Sequence, residues 1–367
     1  MKKLFFLNTS KVFGGGEKWT LEAADALLQR GYSVTIGSLK NTKLSEDALN
    51  LKIPVKYIAL QNSFSALNPF KLKNFITFLK RTSIDVLFLN QSLDLKFGGL
   101  AGHLAGVPQI IYRRGSAIPI KNTLYSRYLL KKCTTGLIAN SNATKSTILK
   151  NTSHYLEHSK IKVIYNGVKV EEIEEKSQNG INIYKEFGIP EHKVILINIG
   201  RLHEQKGHTF LVDAANLLIK ERDDFVILIV GDGPLKNSVQ DQVTRYGLQN
   251  NFVFTGFRDE VYSLLSSSDF LVHTARWEGF GYVIAEAMAL SKPVVATNVS
   301  NISEIVVNEE TGLLAEPNNP NDIAEKINLL LKNPHRELMG KAGRKRVENK
   351  FTFQRMIDEI ETGFLKE

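Results

Sequence analysis

The feature that most limits what this chain can fold into is an alternation of short apolar runs with longer amphipathic stretches, carried through twice. In the first half, runs the length of a strand fall at 3–8, 33–38, 55–60, 85–90, 109–112, 136–140 and 162–165. Helical periodicity fills most of the gaps, notably at 17–30, 69–82 and 123–132. The second half restarts the grammar, with strands at 194–200, 225–230, 252–255, 270–273 and 293–296. Strands that alternate with helices make parallel sheets covered on both faces. Two such blocks predict an α/β protein of two doubly wound domains, with ligands outside the carboxyl ends of the strands. The polar, glycine-containing stretch 171–193 holds or adjoins the linker.

Length agrees: 367 residues are too many for one ordinary core and suit two domains. A composition 43% apolar and 23% charged is that of a globular protein, neither disordered nor membrane-spanning. The start, MKKLFFLNTS, imitates a secretory signal, but the run from Leu4 to Leu7 is far too short for one and reads better as a first strand. No apolar stretch approaches the roughly 20 residues of a membrane span. One cysteine, Cys133, excludes an internal disulfide and a cysteine-cluster metal site, and a reducing cytoplasm fits. The formal charge of +9 hides a division. Residues 1–168 carry 24 basic and 8 acidic side chains, and the remainder 23 basic and 30 acidic. A first half this basic points to an anionic partner, a membrane surface or a nucleic acid.

Several strand ends are followed by residues suited to phosphate. After the first strand, KVFGGGEKW places Gly14, Gly15 and Gly16 where backbone N–H groups can approach a ligand, at the positive end of a helix expected from Glu17. This is not the dinucleotide fingerprint, since Trp19 falls at its sixth position, and a plain strand-to-helix turn reads equally well. GRLHEQKGHTF sets Arg201 and Lys206 on one loop before a helix, where two cations can clamp a diphosphate and meet the charge of a leaving phosphate. Two solvated surface charges is the plainer reading. VGDGP (230–234) offers a further glycine turn through Gly231, or equally a simple loop. In TARWEGFGYVIAEAMA, Glu278 and Glu286 flank Gly279, Phe280 and Gly281, with a helix expected from Tyr282. Amides at such a helix start can hold phosphate, while carboxylates accept from sugar or ribose hydroxyls. The preference of helices for acidic first turns explains one glutamate but not the glycines.

GGGE at 14–17, ANS at 139–141, NGV at 166–168, GR…KG at 200–207 and EGFGYVIAEAMA at 278–289 stand together in a familiar order. On these the chain resembles, over nearly its whole length, the retaining glycosyltransferases of family 4, and the last element matches that family's E-x7-E pattern. The resemblance implies the GT-B fold: two Rossmann-like domains facing across a cleft. Residues 1–168 would be the acceptor domain, 169–350 the nucleotide-sugar donor domain, and 351–367 a helix crossing back to the first. It implies hexosyl transfer from a nucleotide diphosphate sugar, with retention, and no cofactor. Arg201 and Lys206 would grip the diphosphate and Glu278 the transferred sugar, these three lying closest to the chemistry. Glu286 would accept from the ribose. Gly231, Gly279, Phe280 and Gly281 would line the donor, with Gly15 and Gly16 closing over it. The departing phosphate oxygen would serve as base. No D-x-D triplet occurs, so no metal is expected.

The chain departs from the family after GVPQII. Where a histidine facing the donor sugar is common, Arg113 and Arg114 stand. Arginine cannot exchange protons near neutral pH but clamps phosphate or carboxylate, so one of the two is expected to bind an anionic group on donor or acceptor. A salt-bridging pair at a strand end is the alternative.

The basic half also contains NPFKLKNFITFLKR (68–81) and IPIKNTLYSRYLLKK (118–132), which mix aromatics, leucines and cations. Helices of this kind lie on anionic bilayers, each charge near the surface adding about 1 kcal/mol, although covering the sheet is an equal alternative. Together with the charge division they predict peripheral attachment to the inner face of the membrane. The resemblance implies a saccharide or glycolipid acceptor, such as a lipopolysaccharide or polysaccharide precursor. No nucleic-acid partner is expected, because no RNA or DNA module is recognisable. The rivals are an epimerase or sugar phosphorylase on the same framework, and a non-catalytic sugar- or nucleic-acid-binding relative.

Overall fold

The computed structural model describes residues 1–60, 62–178 and 180–366, positions 63 and 64 by their backbone only. The chain divides into two compact units, one of Met1–Asn166 with Gln354–Glu367 and one of Gly167–Phe353.

The first unit is built on seven parallel strands: β1 (Lys3–Leu7), β2 (Ser33–Ser38), β3 (Val55–Tyr57), β4 (Val86–Leu89), β5 (Gln109–Arg114), β6 (Gly136–Ala139) and β7 (Ile161–Val163). Their order is β3-β2-β1-β4-β5-β6-β7, so the winding direction reverses between β1 and β4. In β1, Leu4 pairs with Val34 on one side and Val86 on the other. Leu4 to Leu7 are all buried, because both faces of a parallel sheet are covered. Phe5 packs on Phe75, ring centroids 5.6 Å apart, while its neighbour Phe6 stacks on Phe88 at 4.5 Å on the opposite face.

The helix Pro69–Thr82 forms where periodicity puts it. The Asn68 side chain accepts from the N–H groups of Phe70 and Lys71 at 3.0 and 3.1 Å, and Pro69 takes the first helical position. Most of its aromatics cover the sheet. Phe75 is buried, and both Phe75 and Phe78 meet Phe5, leaving Phe70 turned to solvent. The helix expected at 123–132 divides into Leu124–Tyr128 and a wider-turned Leu129–Cys133, exposing Leu124 and Tyr128 while burying Leu129, Leu130 and Cys133. The end of the chain completes this unit. Glu361 accepts from Arg30 Nη1 at 2.8 Å and from the Tyr32 hydroxyl at 2.9 Å, and Lys2 Nζ donates to the Leu365 carbonyl at 2.7 Å.

The second unit has six parallel strands: β8 (Val194–Ile199), β9 (Phe225–Val230), β10 (Phe252–Gly256), β11 (Phe270–His273), β12 (Val294–Thr297) and β13 (Leu313–Ala315). Their order is β10-β9-β8-β11-β12-β13, reversing between β8 and β11. Strands β9, β11 and β12 are buried throughout. The sequence reading has no counterpart of β13. Three residues are too short to show a period, and they become a strand by pairing with β12, Val295 to Leu313 and Thr297 to Ala315.

Candidate active site

The loop after β8 carries Arg201 and Lys206, and the loop after β11 carries Glu278. Since β8 and β11 are neighbours, their following loops emerge together, and glycines let them touch. Gly207 has φ +63°, and a Cβ there would lie 2.1 Å from the Thr274 carbonyl oxygen. The two loops are then stitched. Arg276 N–H donates to the Gln205 carbonyl at 2.8 Å, Thr274 Oγ1 to the Lys206 carbonyl at 3.1 Å, and Gln205 Nε2 to the Trp277 carbonyl at 3.1 Å. The outcome is an ion pair between Lys206 Nζ and Glu278 Oε2 at 2.6 Å.

His273, the last residue of β11, completes the cluster, with Nε2 3.0 Å from the same Glu278 Oε2. The other carboxylate oxygen, Oε1, accepts from the Gly279 N–H at 2.9 Å. Burial pushes the Glu278 carboxyl up, but Lys206 and His273 outweigh it and hold it far below the usual carboxylate range. Burial pushes the His273 imidazole down despite Glu278, so the ring is neutral. An ionised carboxylate only accepts, which assigns the ring proton to Nε2. His208 begins the helix His208–Leu218. Burial, with His273 and Lys206 nearby, pushes it down to about 4, and neither ring nitrogen has a partner among the described residues.

Arg201 is exposed and forms no ion pair among the described residues. Its loop lies against the turn after β9. Gly231, at φ +138°, would bring a Cβ to 2.1 Å from the Gly200 carbonyl, and Leu202 N–H donates to the Asp232 carbonyl at 3.0 Å. The Gly231 N–H donates to the Gly256 carbonyl at 2.8 Å and so is not turned to a ligand. What Gly231 supplies is close approach. Gly281, at φ +92°, turns the chain into the helix Tyr282–Ala289. Asn301 Nδ2 holds the Phe280 carbonyl at 3.0 Å, and the amides of Phe280 and Gly281 meet no acceptor among the described residues. Glu286 is buried within this helix and accepts from the Tyr262 hydroxyl at 3.2 Å.

In the first unit the helix starts at Gly15, two residues earlier than expected, so Gly15 and Gly16 form its first turn. Space beside Gly16 is open, but the Gly14 N–H is taken by the buried Glu17 carboxylate at 3.0 Å, which opposes an anion there. Arg113 and Arg114 are separated because successive strand residues face opposite ways. Arg113 is 3% exposed, its guanidinium 4.3 Å over the Trp19 ring, donating to Asn90 Oδ1 at 3.0 Å and Asn166 Oδ1 at 3.1 Å. Arg114 donates to the Ile118 carbonyl at 2.7 Å and the Tyr112 hydroxyl at 3.1 Å. The two arginines thus have different partners, and Arg113 is buried against the residues that hold it. Asp94, wholly buried, accepts from the Thr9 N–H and hydroxyl, and burial outweighs these bonds to push it up to about 7.

Sequence reasoning missed His273 and His208. For His273 the available signal was a titratable residue ending a parallel strand, the place where such folds build sites; His208, at a helix start, had no such mark. Among the described residues no group of three or more His, Cys, Asp or Glu is placed to hold a metal ion.

Two parallel-sheet units with such a cluster at strand carboxyl ends define a class, and comparison with known proteins specifies it as GT-B glycosyltransferase. The model of Glycosyltransferase Family 4 matches residues 13–172, and that of Glycosyl transferases group 1 matches residues 181–346. A glycosyltransferase of Methanocaldococcus jannaschii, itself uncharacterised, is 34% identical over 264 residues, 71% of this chain and 69% of its own. The UDP-Gal:α-D-GlcNAc-diphosphoundecaprenol α-1,3-galactosyltransferase of Escherichia coli is 29% identical, with 77% of this chain and 75% of its own covered. The crystal structure of Anabaena HepE in complex with UDP and glucose has a TM-score of 0.84 at 22% identity, over 99% of both chains. The chain belongs to family 4 of the GT-B glycosyltransferases.

Proposed function

We propose that this glycosyltransferase takes a hexosyl group from a nucleoside diphosphate sugar bound at the carboxyl ends of β8, β9 and β11, keeps its anomeric configuration, and uses no metal ion. The observation that carries the reading is the Lys206–Glu278 pair at 2.6 Å, on a loop that also bears the exposed Arg201. Fixed cations beside a leaving diphosphate do electrostatically what a divalent ion does elsewhere. Arg201 and Lys206 take the phosphates, Glu278 accepts from hydroxyls of the sugar, and Glu286 from those of the ribose. The amides of Phe280 and Gly281, at the start of an eight-residue helix, supply further donors. A departing phosphate oxygen removes the acceptor's proton, so no protein base is required. HepE, whose structure holds UDP and glucose, supports a nucleotide-sugar donor.

The acceptor is a lipid-linked saccharide, by analogy with the undecaprenol-linked acceptor named for the E. coli relative. The basic first unit attaches peripherally to the cytoplasmic membrane face, through lysines around Phe70, 77% exposed, and Leu124, 83% exposed. Arg114, half-buried, is the arginine of the pair with surface left for an anionic group.

The test is a panel of UDP-, GDP- and ADP-sugars scored by thermal stabilisation, followed by NMR of the product anomer with and without EDTA. Retention at an unchanged rate is expected. An inverted anomer, or activity abolished by EDTA and restored by a divalent ion, removes the corresponding part of the proposal. Flotation with anionic vesicles tests the attachment, and absence of binding at moderate salt rejects it.

A further inference from the structure

We propose that His273 is a positioning residue whose hydrogen bond to Glu278 allows that carboxylate to release Lys206 to the donor's diphosphate. The inference rests on the donor-site reading above and adds to it that Lys206 is masked in the unliganded protein.

Lys206 is not a free cation awaiting phosphate. Its ammonium lies 2.6 Å from Glu278 Oε2, the lysine side chain being 21% exposed and the glutamate 10%. An arriving diphosphate must therefore take the lysine from a carboxylate that is poorly placed to be rehydrated. A buried carboxylate that loses its cation persists only if other donors remain. Two remain among the described residues, and they are divided between its oxygens: the Gly279 N–H serves Oε1, and His273 Nε2–H serves Oε2, the oxygen that Lys206 leaves. Among the described residues no other side chain donates to Oε2.

The imidazole suits this role because it is neutral. Burial, against the pull of Glu278, pushes it down, so it donates a hydrogen bond without holding the carboxylate as a second cation would. Its position is rigid, since β11 pairs with β12 on one side, His273 opposite Ala296, and with β8 on the other. His208, also neutral, brings no competing charge. Diphosphate binding is then an exchange of anions on Lys206, with His273 retaining the displaced one. Glu278 stays in place with its acceptor capacity turned to a sugar hydroxyl.

The test is a double-mutant cycle read by calorimetric titration of the full chain with UDP, GDP, ADP and inorganic pyrophosphate. Glu278→Gln unmasks Lys206, so the Kd for the bound probe falls about fivefold while turnover drops. His273→Leu makes the carboxylate more dependent on Lys206, so that Kd rises roughly tenfold, the worth of a hydrogen bond to a charged group. His273→Gln, which offers an amide N–H at similar reach, returns it to within about threefold of wild type. In the Glu278→Gln background His273→Leu has no further effect. With the donor sugar, His273→Leu raises KM more than it lowers kcat. An unchanged Kd in His273→Leu, or the same loss with and without Glu278, overturns the inference. If His273→Leu does not fold, His273→Asn, too short to reach, carries the same expectation. Wild-type protein that binds none of the four probes overturns the donor-site reading itself; binding with a flat cycle overturns only this inference.

Discussion

Replacing Lys206 by methionine keeps the length of the side chain and removes its charge, leaving Glu278 as a buried carboxylate without its cation. Breaking a buried pair in this way costs about 3–5 kcal/mol. Lys206 is a fifth exposed, so part of the pair is already screened, and Glu278 keeps its bonds to His273 and Gly279. Roughly 2–3 kcal/mol of the second unit's stability is therefore expected to disappear at pH 7. Most of it should return in Lys206→Met combined with Glu278→Gln, which removes the orphaned charge. The pH dependence gives an independent check. Folded Glu278 titrates far below its ordinary value of 4.5, so the pair's stabilisation is fully present above that value and is lost as pH falls below it. The variant lacks that loss, and the two curves converge in acid. Amide hydrogen exchange of β8 and β11, central strands that open only when the unit unfolds, measures the difference without interference from the first unit. A loss under about 0.5 kcal/mol, or parallel curves down to pH 4, would refute the reasoning.

Arg201→Ala removes an exposed cation with no ion-pair partner among the described residues, so Tm is expected to hold while turnover falls by roughly 10²–10³, measured with the donor found in the panel. Gly207→Ala forces a left-handed alanine whose Cβ meets the Thr274 carbonyl at 2.1 Å. About 1–2 kcal/mol of backbone strain plus separation of the two loops should lower Tm and weaken donor binding together, as thermal melts with and without donor will show. His208 titrates at about 4 when folded and at an ordinary 6.5 when unfolded, so as pH falls between these values the unfolded chain takes the proton first. The second unit then loses up to about 3 kcal/mol over that window. His208→Phe should flatten that slope in urea titrations at pH 7 and 4.5, and an unchanged slope rejects the assignment.

Much of the architecture was legible in the chain. The strand β2 and the helix Pro69–Thr82 have the bounds that periodicity predicts, because the Asn68-Pro69 cap and the apolar spacing act over a few residues. Strand β13 was not legible, since its three residues become a strand only against β12. The aromatics of 68–81 left two readings open, because a helical period says that one face is apolar without saying what covers it. Phe5, far back in the sequence, covers it. Arg113 and Arg114 read as a pair, yet strand geometry assigns them to opposite faces and different partners.

The sequence by itself determined the two parallel-sheet units, the family, and the identity of Arg201, Lys206, Glu278 and Glu286 as residues worth watching. Each of these is written in short-range spacing or in a local turn. Only the tertiary structure decided that Lys206 and Glu278, 72 positions apart, share one oxygen with His273, that the Gly231 amide is already occupied, and that Arg113 is buried on Trp19. The physical reason is that strand order, not chain order, sets which loops meet. β8 lies beside β11 although two strands intervene in sequence, and nothing local to either loop records that neighbour.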